Sequence, residues 1–410
     1  MKICFLIDDF PPDKWTSSGI LTLNLAKEMV KRNHQVFVIT TVQQHNLSGE
    51  SNFQGIKIYK IFTKYHSRWR AYFSLYNPQT VGKVKKILAV ARPDICHFQH
   101  IHQYISYHCF KIAKKYSKAV FLTAHDLMLF YYGKLFPKNG NCLYQVSWWE
   151  QLKQEKLRYN HFRNLIIRRY SRYLSKIFCV SDLQQKILLF NGIKNVERIY
   201  NGIEVSNWKI NFQAVELFKN KYNLKNKKVI LFSGRLSGSK GGQVIIQAMN
   251  EVIKKFPTAI LLVAGSKDDY GQPMVSLAES LKMGNNLIIT GWLGRADLAQ
   301  AIQSADICIT PSLYCDPFPT VNLEAMACAK PIIGTCFGGT PEIVVDGQTG
   351  YIVDPNNIEL MAEKILDLLS NTQKAKEFGE AGYRRVKENF SLERQAAETL
   401  AWYKKFVPNG

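Results

Sequence analysis

The chain has 410 residues, 46% hydrophobic and 21% charged, the proportions of a globular protein with room for two or three cores and not of a disordered one. Its apolar runs all stop short of the ~18 residues needed to cross a bilayer as a helix. The formal charge of +22 is lopsided: residues 1–204 carry 31 Lys+Arg against 12 Asp+Glu and residues 205–410 carry 23 against 20, so the first half is the one suited to an anionic partner, and no nucleic-acid-binding motif appears in it.

The first segment, "MKICFLIDDFPP", runs from a short apolar stretch straight into two Asp and reads as a β-strand, not a signal peptide. Further apolar runs follow at 35–41, 56–61, 94–98, 119–123 and 176–180, and a second series at 229–233, 260–264, 287–290, 306–310 and 331–333. Helical-period segments separate them. Near-continuous apolar strands alternating with helices predict parallel sheets covered on both faces, and two series predict two doubly wound α/β domains. The polar, Asn/Lys-rich stretch 201–228 is the expected linker, with a short helix inside. Domain boundaries are accordingly set at 1–204 and 205–389, followed by a helical tail, 390–410. Nine scattered, mostly strand-embedded cysteines without a C-x-x-C pair fit a reducing cytosol.

Ligands of open parallel sheets bind beyond the carboxyl ends of the strands, so candidate chemistry is sought there. After the first strand come Asp8 and Asp9, which lack D-x-D metal spacing and read as strand-end residues. Gly19 then opens a helix whose N–H groups suit a diphosphate. Four histidines cluster as His97, His100, His102 and His108. They offer either a metal site or the polar lining of a strand end, and with no Cys or acid pattern beside them no metal is assigned. "VFLTAHD" ends a strand with His125, placed to hydrogen-bond a sugar or a developing charge. The stretches 65–76 and 147–178 mix Trp, Tyr, Leu and Ile with Lys and Arg. They read as a membrane-surface face with snorkelling cations, or in part as ordinary amphipathic helix over a sheet.

The second series brings "GRLSGSKGG" (234–242) after a strand. Glycines allow close backbone approach, Arg235 and Lys240 supply cations, and a helix start aims N–H groups at the same point, which together make a diphosphate site. It is not a Walker loop, because Gly241 stands where a Ser/Thr would hold magnesium. Finally "TPSLYCDPFPTVNLEAMACAKPIIGTCFGGTPEIVVDGQTG" (310–350) sets Asp316 in a loop after a strand and Glu324 eight residues on, on the next helix.

This last stretch resembles the E-x7-E signature of the family-4 retaining glycosyltransferases, with Asp316 in place of the first Glu. The trailing EAMA-x-x-x-P and GG-x-PE elements match, and "GRLSGSKG" is similar to the family's G-R-L-x-x-x-K-G element. "HFQHIHQY", "TAHD", "CVSD", "NGIE" and "GYIVDP" follow in family order, so the resemblance covers nearly the whole chain. It implies the GT-B architecture: two facing doubly wound Rossmann-like domains, the active site in the cleft between them, and the C-terminal helix crossing back onto the first domain. It implies transfer, with retention of configuration, of a hexose-type sugar from a nucleotide-diphosphate sugar to a glycan or lipid-linked acceptor, as in cell-surface polysaccharide or glycolipid synthesis. No cofactor or metal is expected. Catalytic roles fall on His125, Asp316, Arg235 and Lys240. Donor binding falls on Gly19, Arg235, Lys240, Phe318, Pro319, Thr320 and Glu324, with Glu324 on the ribose hydroxyls. The family usually shows two glycines where this chain has Ser18–Gly19. The expected location is the cytoplasmic face of a membrane, held peripherally by anionic lipid. The alternatives are a non-catalytic nucleotide-sugar-binding partner subunit and a soluble transferase acting on small sugars.

Overall fold

A computed structural model describes residues 1–155, 160–265 and 271–408. The chain divides into two compact units. The first holds Met1–Lys134, Leu143–Gly202 and Leu392–Gly410, and the second holds Leu135–Cys142 and Ile203–Ser391. Gly202 closes a run of the first unit and Ile203 opens one of the second, while Leu135–Cys142 groups with the second unit. The stretch 201–228 also departs from the expectation of a linker. It enters the second unit, where Gln303 Nε2 donates to the carbonyls of Trp208 (2.9 Å) and Lys209 (3.0 Å).

The first unit is built on eight strands: β1 (Lys2–Leu6), β2 (Gln35–Val42), β3 (Gly49–Phe53), β4 (Ile56–Phe62), β5 (Ile95–Phe98), β6 (Ala119–Ala124), β7 (Lys176–Cys179) and β8 (Val196–Arg198). Their order is β3-β4-β2-β1-β5-β6-β7-β8, parallel throughout except for the β3–β4 hairpin. Central strands such as β6 are buried at every position, as a sheet covered on both faces demands. The C-terminal helix Leu392–Phe406 belongs to this unit and sinks Ala396, Leu400 and Tyr403 into the core with Phe5, Phe121 and Phe178. The Tyr403 hydroxyl lies 2.5 Å from Nδ1 of His97, so the tail is tied to the sheet by a polar bond within an apolar core.

The second unit has six parallel strands: β9 (Lys228–Ser233), β10 (Ala259–Ala264), β11 (Leu287–Ile289), β12 (Ile307–Thr310), β13 (Ile332–Thr335) and β14 (Gly350–Val353). Their order is β11-β10-β9-β12-β13-β14. The order reverses direction between β9 and β12, the switch point at which open α/β sheets bind ligands. Both diphosphate-loop and acidic-loop residues follow these two strands.

Two of the nine cysteines, Cys142 and Cys315, are joined as a disulfide, and the other seven are thiols. This revises the reading of every cysteine as a free thiol. The pair is 173 residues apart, so sequence spacing gave no sign of it.

Candidate active site

After β9 the chain turns at Gly234, passes Arg235 and winds one short turn, Gly238–Lys240, before the helix Gly242–Lys255 begins. Gly241 links the two with φ +81°. A Cβ there would lie 1.9 Å from the carbonyl oxygen of Pro311, so only glycine lets the helix start press against the loop after β12. A hydrogen bond from Leu313 N to Ser239 O (3.0 Å) sews the same two loops together.

That contact brings Lys240 to the acidic loop. Its ammonium donates to Asp316 Oδ2 at 2.5 Å, and the Tyr314 hydroxyl donates to the same oxygen at 2.8 Å. Burial opposes the charge on Lys240, but Asp316 and Tyr314 outweigh it and hold the ammonium above the ordinary lysine range. Lys240 is therefore a fixed cation at any physiological pH. Arg235 is exposed on the same loop.

Asp316 is itself buried and set by glycines across the loop. Gly339 N donates to Asp316 O at 2.8 Å, and a Cβ on Gly339 would meet Pro317 O at 2.1 Å. The two glycines of the GG-x-PE element thus let one loop lie flat against another. Phe318 is buried with its ring 5.8 Å from that of Phe390, so it anchors the loop. Pro319 caps the helix Thr320–Ala327 at its N-terminus, and Thr320 is its first residue.

Glu324 sits half-buried on that helix. Loss of solvent raises its pKa to about 7, against the charge of Arg295, which pulls it down. Arg295 opens the helix Arg295–Ser304 and was not singled out from the sequence, where it is one cation among many. The structure thus gathers Lys240 and Asp316 in one bonded constellation within the second unit, with Phe318, Pro319 and Thr320 continuing its loop into the helix of Glu324.

The remaining sequence-derived residues lie in the first unit. His125 follows β6, and its Nε2 is 2.8 Å from Gln99 Oε1. Burial, aided by the charge of His100, lowers its pKa to about 4, so the imidazole is neutral at pH 7. Gly19 is the third residue of the helix Ser17–Lys31, not its opening residue. Its own N–H is taken by Thr16 Oγ1 at 3.1 Å. A Cβ on it would lie 2.9 Å from Asp9 O, so its smallness serves the close approach of the strand end.

The Asp8 carboxylate accepts from the N–H groups of Gln103 (2.7 Å), Tyr104 (3.0 Å) and Ile105 (2.5 Å), so it shapes a loop from within. Asp9 pairs with Lys14 at 3.0 Å. The four histidines separate. His97 is locked in the core between Tyr403 and Thr123, and His108 bonds the Tyr170 hydroxyl at 3.0 Å. His100 and His102 approach Asp126 Oδ2 at 3.6 and 3.4 Å, a carboxylate the sequence placed on a different strand end. These three groups lie close enough to share a cation, but Arg70 and Arg163 bear on the same cluster and disfavour one.

This arrangement of folds and loops has known counterparts. Residues 18–207 match the family described as Glycosyltransferase Family 4, and residues 215–385 match Glycosyl transferases group 1. The chain belongs to these glycosyltransferases. An uncharacterized glycosyltransferase of Methanocaldococcus jannaschii is 25% identical over 98% of both chains. Spore coat protein SA of Bacillus subtilis is 29% identical over half of this chain, which spans 58% of that protein. The Anabaena protein HepE, solved with UDP and glucose, superposes with a TM-score of 0.74 over 98% of this chain and 100% of its own at 18% identity, a likeness of GT-B fold.

Proposed function

We propose that the chain is a retaining hexosyltransferase that takes its sugar from a nucleotide-diphosphate donor and uses no metal. The observation that carries this reading is the Lys240–Asp316–Tyr314 constellation, built where the phosphate loop and the acidic loop meet. In the resting protein Asp316 occupies the Lys240 ammonium. A donor diphosphate competes for that cation, and Arg235 on the same loop adds a second one. Fixed positive charge at the leaving diphosphate supplies the stabilisation that a divalent ion supplies elsewhere. Glu324, once ionised, accepts two ribose hydroxyls. Asp316 and the turn Phe318–Thr320 take the sugar. Neutral His125 donates or accepts a hydrogen bond to a hydroxyl and is not a proton source at pH 7.

The acceptor is assigned to the first unit, as a glycan or lipid-linked molecule at an anionic membrane face. Exposed Trp69, Tyr72 and Tyr76 support this reading. So do Trp148, Trp149, Phe162 and Leu165, which are also exposed. Tyr76 packs on His108, which bonds Tyr170 of the helix Arg163–Ser171, so the two aromatic stretches share one contact chain, with Arg168 and Arg169 on that helix exposed. Residues 156–159 of the stretch 147–178 lie outside the described residues. No helix among the described residues is long and apolar enough to cross a membrane. A thermal-shift screen over UDP-, GDP-, ADP- and dTDP-sugars tests the donor reading. A donor at 100 times its Kd adds about 2.7 kcal/mol of stability, and no shift with any of them contradicts the proposal.

A further inference from the structure

We propose that the Cys142–Cys315 disulfide is a thiol–disulfide exchange site that adjusts the acidic loop of the donor site, a regulation that rests on the nucleotide-sugar reading above. Cys315 stands between Tyr314 and Asp316, the two residues whose side chains meet at Lys240. Its sulfur holds the segment Leu135–Cys142, which leaves the first unit's run of sequence and groups with the second. Beside the disulfide, that segment meets the acidic loop through Cys315 N donating to Leu135 O (2.8 Å) and through the rings of Phe136 and Tyr314, 6.5 Å apart. Of these ties between the segment and the loop, the disulfide is the covalent one.

Seven other cysteines stay reduced, and Cys336 among them is exposed. A lone disulfide in a chain otherwise rich in thiols has the distribution of an exchanging bond and not of a secreted scaffold. Both cysteines are buried, but Cys142 directly follows the exposed turn Lys138–Asn141, which carries two positive-φ residues, Asn139 and Gly140. Local opening of that turn admits a reductant. A dithiol's thiolate attacks Sγ of Cys142, the S–S bond breaks, and Cys315 leaves as a thiolate that takes up a proton. The second thiol of the reductant then displaces Cys142 as a thiol, and the reductant departs as its own disulfide with two electrons transferred. The reduced chain loses the link that holds Cys315, so Asp316 and Tyr314 are positioned less tightly at Lys240, and nucleotide binding weakens.

The full chain, purified in air without reductant, is compared with the same protein after dithiothreitol and with Cys142→Ser. Three readouts are taken: alkylation by mass spectrometry, hydrogen exchange of peptides over 311–319, and calorimetric binding of UDP and of GDP. Cys336 should alkylate in every sample; in the native chain Cys142 and Cys315 should alkylate only after reduction, and in Cys142→Ser Cys315 should alkylate without it. Reduction and Cys142→Ser should both speed exchange over 311–319 and weaken nucleotide binding at least threefold. Alkylation of Cys142 and Cys315 in the untreated protein overturns the proposal, as do equal exchange and equal affinity in the two states. If neither nucleotide binds in any sample while exchange over 311–319 still follows the redox state, the exchange site stands and the nucleotide reading falls. Should Cys142→Ser not fold, reduction of the native chain carries the same comparison.

Discussion

Lys240 and Asp316 are 76 residues apart in sequence, yet their side chains meet at 2.5 Å. The meeting depends on two loops that follow adjacent strands, β9 and β12, at the reversal of the sheet order. A cation held this way is preformed, and on the proposed function the leaving diphosphate takes the place of the Asp316 carboxylate beside it.

Lys240→Ala and Arg235→Ala should therefore each lower turnover on the order of 10²-fold while the fold survives. Turnover should persist in EDTA and gain nothing from magnesium or manganese. Kinetics on metal-stripped protein check this. An enzyme silenced by chelation and restored by either ion would contradict the assignment of the charge to these side chains.

Gly338 tests the loop itself. Its φ is +72°, and a Cβ would lie 2.2 Å from the Asp316 carbonyl oxygen, a contact with backbone that cannot swing away. Gly338→Ala should destabilise by roughly 1–3 kcal/mol through strain and overpacking, and should weaken donor binding because the backbone of Asp316 must shift. An unchanged melting temperature and unchanged nucleotide affinity would show that the loop does not depend on this approach.

These glycines explain how much of the site was legible beforehand. A local pattern of glycine, proline and acid singles out Lys240, Asp316 and Glu324 in the sequence, and the structure joins the side chains of the first two. The buried strands were found for a related reason: residues covered on both faces are apolar without a break. β3 was missed because it is a polar edge strand, "GESNF", joined to β4 through Gln54–Gly55 with both φ positive, a two-residue hairpin turn. Gly19 is ambiguous in sequence because a glycine near a helix start suits an anion site and a close backbone approach equally well. The Cys142–Cys315 bond and the meeting of Asp126 with His100 and His102 link residues from separate loops, and nothing in local spacing records them.

Glu324 gives a pH dependence with a definite sign. Its folded pKa is about 7, above the ordinary carboxyl value of 4.5. Between those values the folded chain holds the proton that the unfolded chain has lost, so this group's contribution to stability falls as pH rises from about 4.5 to about 7 and is level above that. Donor binding moves the other way, because the ionised carboxylate is the better acceptor for ribose hydroxyls. Nucleotide affinity should rise from pH 6 to pH 8 in the native chain and lose that rise in Glu324→Gln. Glu324→Ala should cost roughly 1.5–3 kcal/mol of binding. Calorimetry across pH decides it, and a flat profile in the native chain would remove Glu324 from the ribose.

The basic, aromatic face of the first unit should bind anionic vesicles reversibly. Each cation near an anionic leaflet contributes about 1 kcal/mol, so four or five engaged together suffice. Salt should release the protein, since screening shortens to ~3 Å at 1 M. Co-sedimentation with phosphatidylglycerol vesicles measures this, and Trp149→Ala with Arg169→Ala should weaken it. Equal binding to neutral vesicles, or none to either kind at low salt, would contradict the membrane assignment and leave the transferase assignment standing.

The central claim is that this constellation transfers a sugar from a nucleotide donor with its anomeric configuration kept. The most direct measurement takes the donor that stabilises the chain most in the thermal screen, supplies glycan and lipid-linked acceptors, and follows the anomeric proton of the product by NMR. The expected product is a glycoside with the donor's own configuration, formed without added metal. A product of inverted configuration, or a bound donor that is never turned over with any acceptor, would contradict it.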